Sequence, residues 1–422
     1  MAFKKIIIDH NIELPEKTNT PKKPIRQLMQ FFSTVFDERS QGCLNYPLNE
    51  ILMIAFVAIL GGATGFTDIA DYGKVHEEIF VKYFMIKNGI PSHDTFRTVL
   101  SIIDPVYLQK ATVLYLMENI RLMKRVFKID DDGMKQYCVD GKTGRGTSRL
   151  KGLPQEVKAI HTLHVYDRSD DICIVSEPVG EKSNEIPTAQ EILHALDLRG
   201  SIVTFDALNT QRDTIAAIID QKGLYVASLK KNQQDLYQEI ESFFTPDVLK
   251  QIETNGVNYL MFREKLHNRI ETRKFYLSKN VSWLVQLNDW KGLKSLICYS
   301  LHTEDINSGK ITDTLCYYIA ASTDIAICAD AIRGHWSVEI FHWNLDVNFF
   351  EDDIEIINRV AFQNISLLNK IALSFTKLVA PFLKLSVRST RKHLGWNINL
   401  ILKFFCILNE DILADAMLNV KV

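Results

Sequence analysis

Cysteine is scarce in this chain, and it never occurs at short spacing. The 422 residues contain seven cysteines and no Cys-x-x-Cys pair, at positions 43, 138, 173, 298, 316, 328 and 406. This spacing excludes a zinc finger and a dithiol redox motif. Scattered cysteines of this kind are typical of reduced core residues in a cytosolic protein, where structural disulfides are rare.

An excess of one charge and a long apolar run are also lacking. The formal net charge is −2, so any DNA-binding surface must come from local patches. The strongly apolar run at residues 51–60 is too short to cross a bilayer and predicts a buried helix. The apolar run near the N-terminus is too short for a signal peptide. We therefore predict a cytoplasmic protein with no membrane partner.

Helical periodicity dominates the first third of the chain. Residues 1–24 mix charge with three prolines and indicate an extended arm. Apolar residues then recur at helical spacing over residues 25–36, 48–61, 67–87, 92–103 and 105–127. We predict an all-helical N-terminal domain at 25–130 that folds on its own. It is either a DNA-reading module or a helical cap on the next domain.

Two predicted strands share the same ending. Gln136-Tyr-Cys-Val-Asp-Gly-Lys142 indicates an apolar strand that ends at Asp140, and Ser201-Ile-Val-Thr-Phe-Asp206 ends in the same way. Chemistry is often located where parallel strands end at one edge of a sheet. Paired carboxylates at such an edge suit a divalent metal ion. Each aspartate alone is equally compatible with a turn or a helix cap, so both interpretations stay open.

The segment 136–350 is predicted to be an α/β domain. The predicted strand that ends at Asp140 and two further strands, at 158–166 and 172–179, fit an antiparallel meander. Helices and strands then alternate, which favours a mixed sheet with helical cover. A β-rich insertion is predicted at about 232–312 and a long helix at 326–350. Residues 355–422 are predicted to form a C-terminal helical tail.

The predicted helix at 326–350 carries a third carboxylate, Glu339. Apolar residues at steps of four and three predict a buried seam, made of Ile332, Trp336, Ile340, Trp343 and Val347. Glu339 projects onto this seam, so its carboxylate is expected to face the core, on the side shared by His335, His342 and Asp346. A buried carboxylate needs a partner. That partner is either a metal ion or a cation such as Arg333.

Basic residues follow Asp140 closely and predict contacts to a DNA backbone, at Lys142, Arg145, Arg149 and Lys151. A solvated basic loop explains them equally well. A second basic group lies on the predicted insertion, made of Arg263, Lys265, Arg269, Arg273 and Lys274. Acidic residues are interleaved with this second group, so its net field is weaker.

Taken in order, these motifs resemble a known family. Val-Asp-Gly-Lys (139–142), Glu-Lys-Ser-Asn-Glu-Ile-Pro (181–187), Thr-Phe-Asp-Ala (204–207) and Arg-Gly-His-Trp-Ser-Val-Glu (333–339) resemble DDE transposases of bacterial insertion sequences. The variety is that of the H-repeat-associated proteins. Pro-Leu-Asn-Glu-Ile-Leu (47–52) is similar to the N-terminal domain associated with that family. The resemblance covers nearly the whole chain.

The resemblance implies a ribonuclease-H-like core in which Asp140, Asp206 and Glu339 bind Mg²⁺, with Mn²⁺ able to substitute. It implies strand cleavage and transfer by in-line attack on phosphodiesters, at the element's terminal repeats and at target DNA. Arg333 and His335 are the implied DNA contacts beside the glutamate. The implied location is the bacterial cytoplasm at the nucleoid, and a homodimer is one arrangement for the DNA complex.

Some positions depart from the family pattern. Related transposases place a tyrosine, an arginine and a lysine around the glutamate, where this chain has Ile332, His335 and Asp346. A catalytically decayed or domesticated DNA-binding descendant is therefore an alternative. A remote alternative is a di-metal helical oxidase, because Glu-x-x-His steps occur at residues 191–194, 264–267 and 339–342.

Overall fold

The architecture comes from a computed structural model that describes residues 5, 7–8, 22–39, 45–130, 133–148, 158–180, 184–266 and 268–408. Before the first strand, the described residues form α1 (Lys22–Phe32), α2 (Leu48–Leu60), α3 (Phe66–Val75), α4 (Glu77–Phe84), α5 (His93–Leu100) and α6 (Pro105–Val126). The middle of the chain forms β1 (Lys135–Gly144), β2 (Ile160–Asp167), β3 (Ile172–Pro178), α7 (Glu185–Ala195), β4 (Ser201–Phe205), α8 (Arg212–Asp220) and β5 (Leu224–Leu229). It continues with α9 (Gln234–Phe243), α10 (Pro246–Asn255), β6 (Tyr259–Leu266), β7 (Arg269–Ser278), β8 (Ser295–Asp305) and β9 (Ile311–Ala320). The last described elements are α11 (Ile325–Phe349), α12 (Arg359–Leu383), α13 (Val387–Trp396) and α14 (Ile398–Ile407).

The described strands form a single sheet, in the order β3-β2-β1-β4-β5-β9-β8-β7-β6. Strands β1, β2 and β3 are an antiparallel meander, and β4 and β5 run parallel to β1. The predicted mixed sheet is therefore confirmed. Strand β9 pairs antiparallel with β5, so the predicted insertion at 232–312 extends the same sheet through β6 to β8.

Helices cover both faces of the sheet. Helices α7, α8 and α9 pack on one face, where Val139 and Phe205 enter the core. Helix α11 crosses the opposite face, and the Cys138 thiol lies 3.6 Å from the carbonyl oxygen of Gly334. Side chains alternate along a strand, so Asp140, two residues after Cys138, also faces the α11 side.

The helical part is built around α12. Every residue of α2 except Asn49 is buried, in one hydrophobic core that also contains residues of α12 and α14. The Asn364 amide of α12 donates hydrogen bonds to the carbonyls of Leu100 and Ile103, at 2.9 and 2.8 Å. These carbonyls at the end of α5 have no partner within their own helix. The described helices of the predicted N-terminal domain at 25–130 and of the predicted tail, as far as residue 408, therefore share one core. Independent folding of the N-terminal domain stays a prediction.

Local capping residues locate several helices. The hydroxyl of Ser92 accepts a hydrogen bond from the backbone amide of Thr95 at 3.3 Å and begins α5. Asp104 caps α6, and Pro105 occupies its first turn, where a missing N–H costs nothing.

Two N-terminal expectations need correction. The helix predicted at 67–87 is divided at His76 into α3 and α4. Most of the predicted extended arm at 1–24 lies outside the described residues. The described positions in that stretch are helical, and α1 already begins at Lys22, after the helical residues Lys5, Ile7 and Ile8.

Helix α12 is long and apolar enough to cross a membrane, but 94% of its most apolar window is buried inside the protein. The bent pair of α5 and α6, taken as one broken span, also passes this test of length and composition. The burial of α12 is that of a core helix, because other helices of the same chain surround it.

Candidate active site

Asp140 and Asp206 lie side by side where β4 ends. Val139 and Phe205 are the last register pair in the parallel ladder between β1 and β4, and each aspartate is the next residue. Strand β1 continues past Asp140 to Gly144, so the prediction that this strand ends at Asp140 is wrong. The parallel register with β4 still brings the two carboxylates together.

A turn after β4 fixes the orientation of Asp206. Its Oδ1 accepts hydrogen bonds from the backbone amide and the side-chain Nδ2 of Asn209, at 3.2 and 3.3 Å. The same Nδ2 group donates to Oε2 of Glu185 at 3.1 Å. The Asn209 Oδ1 atom is buried and has no hydrogen-bond partner in the described part of the chain.

Glu339 of α11 lies near Asp140. Partial burial raises the pKa of its carboxyl group, the negative charge of Asp140 raises it further, and His342 and Lys230 oppose both effects. Asp140 and Glu339 are therefore close enough to repel each other. The Glu339 side chain is exposed at the mouth of the site, whereas the sequence predicts a carboxylate that faces the core.

The apolar seam predicted on α11 is mostly exposed. Ile332 is buried, but Trp336 exposes 62% of its surface and Trp343 exposes 55%. Ile340 and Val347 are also exposed. The helix instead buries the neighbouring face, with Val338, Phe341, Leu345 and Phe349. Apolar residues occur on more than one side of α11, so periodicity alone did not identify the buried side.

A pair of histidines lies behind Asp140. His342 Nδ1 is 3.4 Å from Asp140 Oδ2, and His342 Nε2 is 2.8 Å from Nδ1 of His164. His164 lies on β2, directly opposite Asp140 in the strand register. Burial, and next the positive charge of Lys370, hold the pKa of His164 well below its usual value. His164 is therefore a neutral imidazole.

His335 is turned inward, between the two aspartates. Its Nδ1 lies 3.0 Å from the hydroxyl of Thr204 on β4. Burial lowers the pKa of His335, although the charges of Asp140 and Asp206 act to raise it. A neutral imidazole in this position favours support of the carboxylates over the DNA contact that the resemblance implies.

Arg333 points toward the insertion. Its guanidinium lies 2.8 Å from Glu264 Oε1 and 4.6 Å above the ring centre of Phe262, both on β6. The residue predicted to contact DNA thus joins α11 to the extended part of the sheet.

Lys142 is buried among carboxylates, although the sequence predicts a DNA contact. Only 8% of its side chain is exposed, and its Nζ lies 2.7 Å from Asp346, 3.3 Å from Glu351 and 3.4 Å from Asp352. A cation enclosed in this way has no face for a phosphate. Its placement is that of a structural ion pair between β1 and α11.

The other predicted DNA contacts differ in their exposure. Arg145 exposes 72% of its side chain, and its Nε lies 3.7 Å from Asp352. Arg149 and Lys151 lie outside the described residues. On the insertion, several of the predicted basic residues are paired with glutamates: Arg269 and Arg273 with Glu271, and Lys274 with Glu253.

Sequence reasoning missed a hydrogen-bonded network on the far side of β1. Glu185 Oε1 lies 2.6 Å from His161 Nε2, and His161 Nδ1 lies 2.8 Å from the hydroxyl of Thr143. A Cβ atom on Gly141 would lie 2.6 Å from His161 Nε2 and closer still to Glu185, so this position needs glycine. Glu185 belongs to the motif at 181–187, but only the fold shows that it shares the side-chain amide of Asn209 with Asp206.

A basic surface lies beyond the end of α11. The chain has no acidic residue between positions 356 and 409. Exposed basic residues recur there at steps of four, at Lys384, Arg388 and Lys392. In the described part of the chain none of these three forms an ion pair. Lys384 ends α12 and the other two lie on α13, and we call the three residues together the α13 basic face. The neighbouring Arg391 is buried, and its guanidinium donates a hydrogen bond to the carbonyl of Asn348, near the end of α11.

The donor set fits a divalent cation. Asp140, Asp206 and Glu339 supply the carboxylate oxygens that Mg²⁺ and Mn²⁺ prefer. A cation between Asp140 and Glu339 would remove the repulsion that contributes to the raised pKa of Glu339, and the unpartnered Oδ1 of Asn209 can accept one more bond. Among the described residues, no three His, Cys, Asp or Glu side chains converge at ligand spacing as they stand. A three-ligand site therefore requires side-chain rotation.

Known families and proteins match nearly the whole chain. The family described as "Transposase DDE domain" matches residues 131–375, and the family described as "DDE_Tnp_1-associated" matches residues 29–116. The H repeat-associated putative transposase YhhI of Escherichia coli (strain K12) is 32% identical over 360 residues, which cover 83% of this chain and 90% of that protein. The putative transposase YncI of Escherichia coli O157:H7 is 30% identical over 381 residues, with coverage of 88% and 93%.

Among solved structures, a synaptic complex of piggyBac transposase with hairpin DNA matches 92% of this chain and 81% of that chain. Its TM-score is 0.42 and its sequence identity is 13%, a likeness too distant to carry an argument. The DDE-domain match, by contrast, spans more than half of the chain and includes Asp140, Asp206 and Glu339. The chain therefore belongs to the DDE transposases, and to their H-repeat-associated type.

Proposed function

We propose that the protein is a DNA transposase that cleaves and transfers strands at the ends of an insertion sequence. The observation that carries the proposal is the position of Asp140 beside Asp206 at the end of β4, with Glu339 of α11 near Asp140. Carboxylates gathered in this way suit metal-dependent chemistry at a phosphodiester. Membership of the DDE family, which generally uses divalent metal ions, supports the same reading.

The strand order supports a ribonuclease-H-like core. Strands β1 to β5 form a mixed unit with β1 at its centre, and the insertion lies between β5 and α11. This topology puts Asp140 on the central strand, Asp206 at the end of its neighbour and Glu339 on the helix that crosses both. The resemblance in the sequence implies the same three positions.

The residues around the carboxylates have distinct roles in this proposal. When bound, Mg²⁺ or Mn²⁺ activates the attacking hydroxyl and stabilises the leaving oxygen. Asp140, Asp206 and Glu339 would hold the metal. Asn209 orients Asp206 through Oδ1. Helix α11 is fixed to the sheet by the pair of Lys142 with Asp346.

Exposed groups around Glu339 supply a surface for DNA. Trp336 and Trp343 lie open on the solvent side of α11, where aromatic rings can stack on unpaired bases. Arg145 and the α13 basic face carry exposed positive charge suited to phosphates. We place the duplex along α11 toward α13. This path replaces the contacts first predicted from Lys142, Arg333 and His335.

The proposed partners are double-stranded DNA at the terminal repeats and at the target. A DNA partner in a bacterium implies action in the cytoplasm, at the nucleoid. A homodimer in the DNA complex stays a prediction, because no contact of the described chain tests it.

Cleavage of labelled DNA ends by purified protein tests the proposal. With Mg²⁺ or Mn²⁺ the parent protein should nick the element ends, whereas Asp140→Asn, Asp206→Asn and Glu339→Gln should each reduce cleavage to background. Neutral amides are poor ligands for these metals, and metal-free DNA binding should persist because it depends on phosphate contacts elsewhere. Asp247→Asn, on the exposed surface of α10, is the matched control. Full cleavage by Asp206→Asn would remove that residue from the site.

A catalytically inactive DNA-binding descendant is the second candidate. It is favoured by Asp346, an acid at the position where related transposases have a lysine. It predicts DNA binding without cleavage in the presence of either metal.

The helical di-metal oxidase is contradicted by the sheet, because the pair at 191–194 lies on α7 and the pair at 339–342 lies on α11, across the sheet. The third pair, at 264–267, includes a residue outside the described part.

A further inference from the structure

Two histidines that the proposed chemistry does not use meet behind Asp140. Asp140 and His164 are directly opposite each other in the antiparallel pair of β1 and β2, so their side chains share the α11 face. His342 lies three residues after Glu339 on α11, which puts both on one side of the helix. Its ring enters between Asp140 and His164, with the two contacts at 3.4 and 2.8 Å.

The hydrogen-bond pattern determines where the protons lie. The His164 Nε2 atom is buried without a partner among the described residues, so a proton there would be an unsatisfied buried donor. A neutral His164 therefore carries its proton on Nδ1 and donates it to His342 Nε2. The proton of His342 then lies on Nδ1, which faces Asp140. The opposite assignment would put a bare nitrogen lone pair against a carboxylate.

We infer that His342 is a positioning residue for Asp140, which it holds by donating its Nδ1–H to Oδ2 so that Oδ1 stays free for a divalent cation. The inference rests on the proposed function, because it concerns the same metal site. His164 orients His342 and is connected to Asp140 only through His342. This arrangement resembles the outer partners that orient metal-binding groups in other proteins, whose loss weakens metal affinity by about 10- to 100-fold.

The two histidines also connect the two elements that carry Glu339 and Asp140. His342 comes from the helix that carries Glu339, and His164 comes from the strand beside Asp140. Any rotation of Asp140 away from the α11 face breaks the contact with His342. The orientation that leaves Oδ1 of Asp140 free for a cation therefore depends on the packing of α11 against the sheet.

A matched pair of amide variants separates positioning from simple space filling. His342→Asn places its amide N–H near the position of Nδ1, whereas His342→Gln places it near Nε2 and is closer to histidine in length. The measurement is the dissociation constant of Mn²⁺ alone, by calorimetry, on the full-length protein at pH 7.5. Thermal unfolding of each variant reports separately on stability.

We expect His342→Asn to bind Mn²⁺ much like the parent and His342→Gln to bind it about 10- to 100-fold more weakly. Equal affinities, or tighter binding by His342→Gln, would overturn the positioning role. Asp140→Asn is the reference for the site itself. If Asp140→Asn loses Mn²⁺ binding while both His342 variants keep it, this inference alone fails. If Asp140→Asn binds Mn²⁺ like the parent, the metal site of the proposed function fails.

Discussion

Lys142 on β1 and Asp346 on α11 form an ion pair of 2.7 Å that joins the strand of Asp140 to the helix of Glu339. Lys142 follows Asp140 by two residues, and Asp346 follows Glu339 by seven. The ion pair of Lys142 with Asp346 therefore lies next to the candidate site. Glu351 also contacts Lys142, at 3.3 Å. The position of Glu339 relative to Asp140 thus depends on a buried cation.

Removal of that cation should destabilise the protein. Lys142→Met leaves the carboxylates of Asp346 and Glu351 close together without their shared ammonium group, and such a loss costs about 3–5 kcal/mol. Urea unfolding should report this decrease. The double variant Lys142→Met/Asp346→Leu should recover part of the stability, because it removes one of the unpaired charges. A Lys142→Met protein of parental stability with weaker DNA binding would instead restore the phosphate contact predicted from the sequence.

The same cluster predicts a specific response to acid. Burial acts to raise the pKa of Glu351, but Lys370 and Lys142 outweigh it and hold that pKa below its usual value of 4.5. A lowered folded-state pKa stabilises the protein fully above the unfolded value, and this stabilisation is lost as the pH falls through the folded value. The difference in unfolding free energy between the parent and Glu351→Gln should therefore be constant at neutral pH and shrink below about pH 4.5. A difference that grows in acid would contradict the assignment.

A side chain at Gly141 should displace the side chains of Glu185 and His161. A Cβ atom there would lie 2.6 Å from His161 Nε2 and would displace Glu185, which shares the Asn209 amide with Asp206. We expect Gly141→Ala to lower strand cleavage by about 10- to 100-fold, as when an outer partner of a metal site is lost. Gly133→Ala is the matched control, since nothing lies within 4 Å of its added Cβ. Equal cleavage by the two alanine variants would show that Glu185 has no influence on Asp206.

The sequence predicted the proximity of Asp140 and Asp206, because each follows a run of apolar residues in one of two parallel strands. It did not predict that β1 continues past Asp140 to Gly144, because a glycine and polar residues follow the aspartate. The long helix was also predicted to within a residue at each end, as Ile325–Phe349. Its buried side was not, because Trp336 and Trp343 continue an apolar period on the solvent side.

Contacts between distant segments were beyond prediction from a single sequence. The apolar residues of α2 indicate burial but do not say what buries them, and only the fold shows that α12 does so. The roles of Lys142 and His342 depend in the same way on register. A basic residue after Asp140 is equally suited to DNA and to Asp346, and the packing of α11 decides between them.

The α13 basic face should carry part of the electrostatic affinity for DNA. Its three exposed residues are Lys384 at the end of α12 and Arg388 and Lys392 on α13. Each phosphate contact contributes about 0.9 to the slope of log affinity against log salt. Replacing all three with glutamine should therefore reduce that slope by up to about 2.7, measured with a short duplex and full-length protein without metal.

The control for this experiment removes equal charge elsewhere. Lys250, Lys279 and Lys310 are exposed on the insertion, and their glutamine variant should leave the slope close to that of the parent. The α13 variant should still bind Mn²⁺, because its substitutions lie away from Asp140 and Glu339. The two triple variants thus differ in where charge is lost but not in how much. Identical salt slopes for both would show that the duplex does not reach α13, and that the DNA path ends at α11.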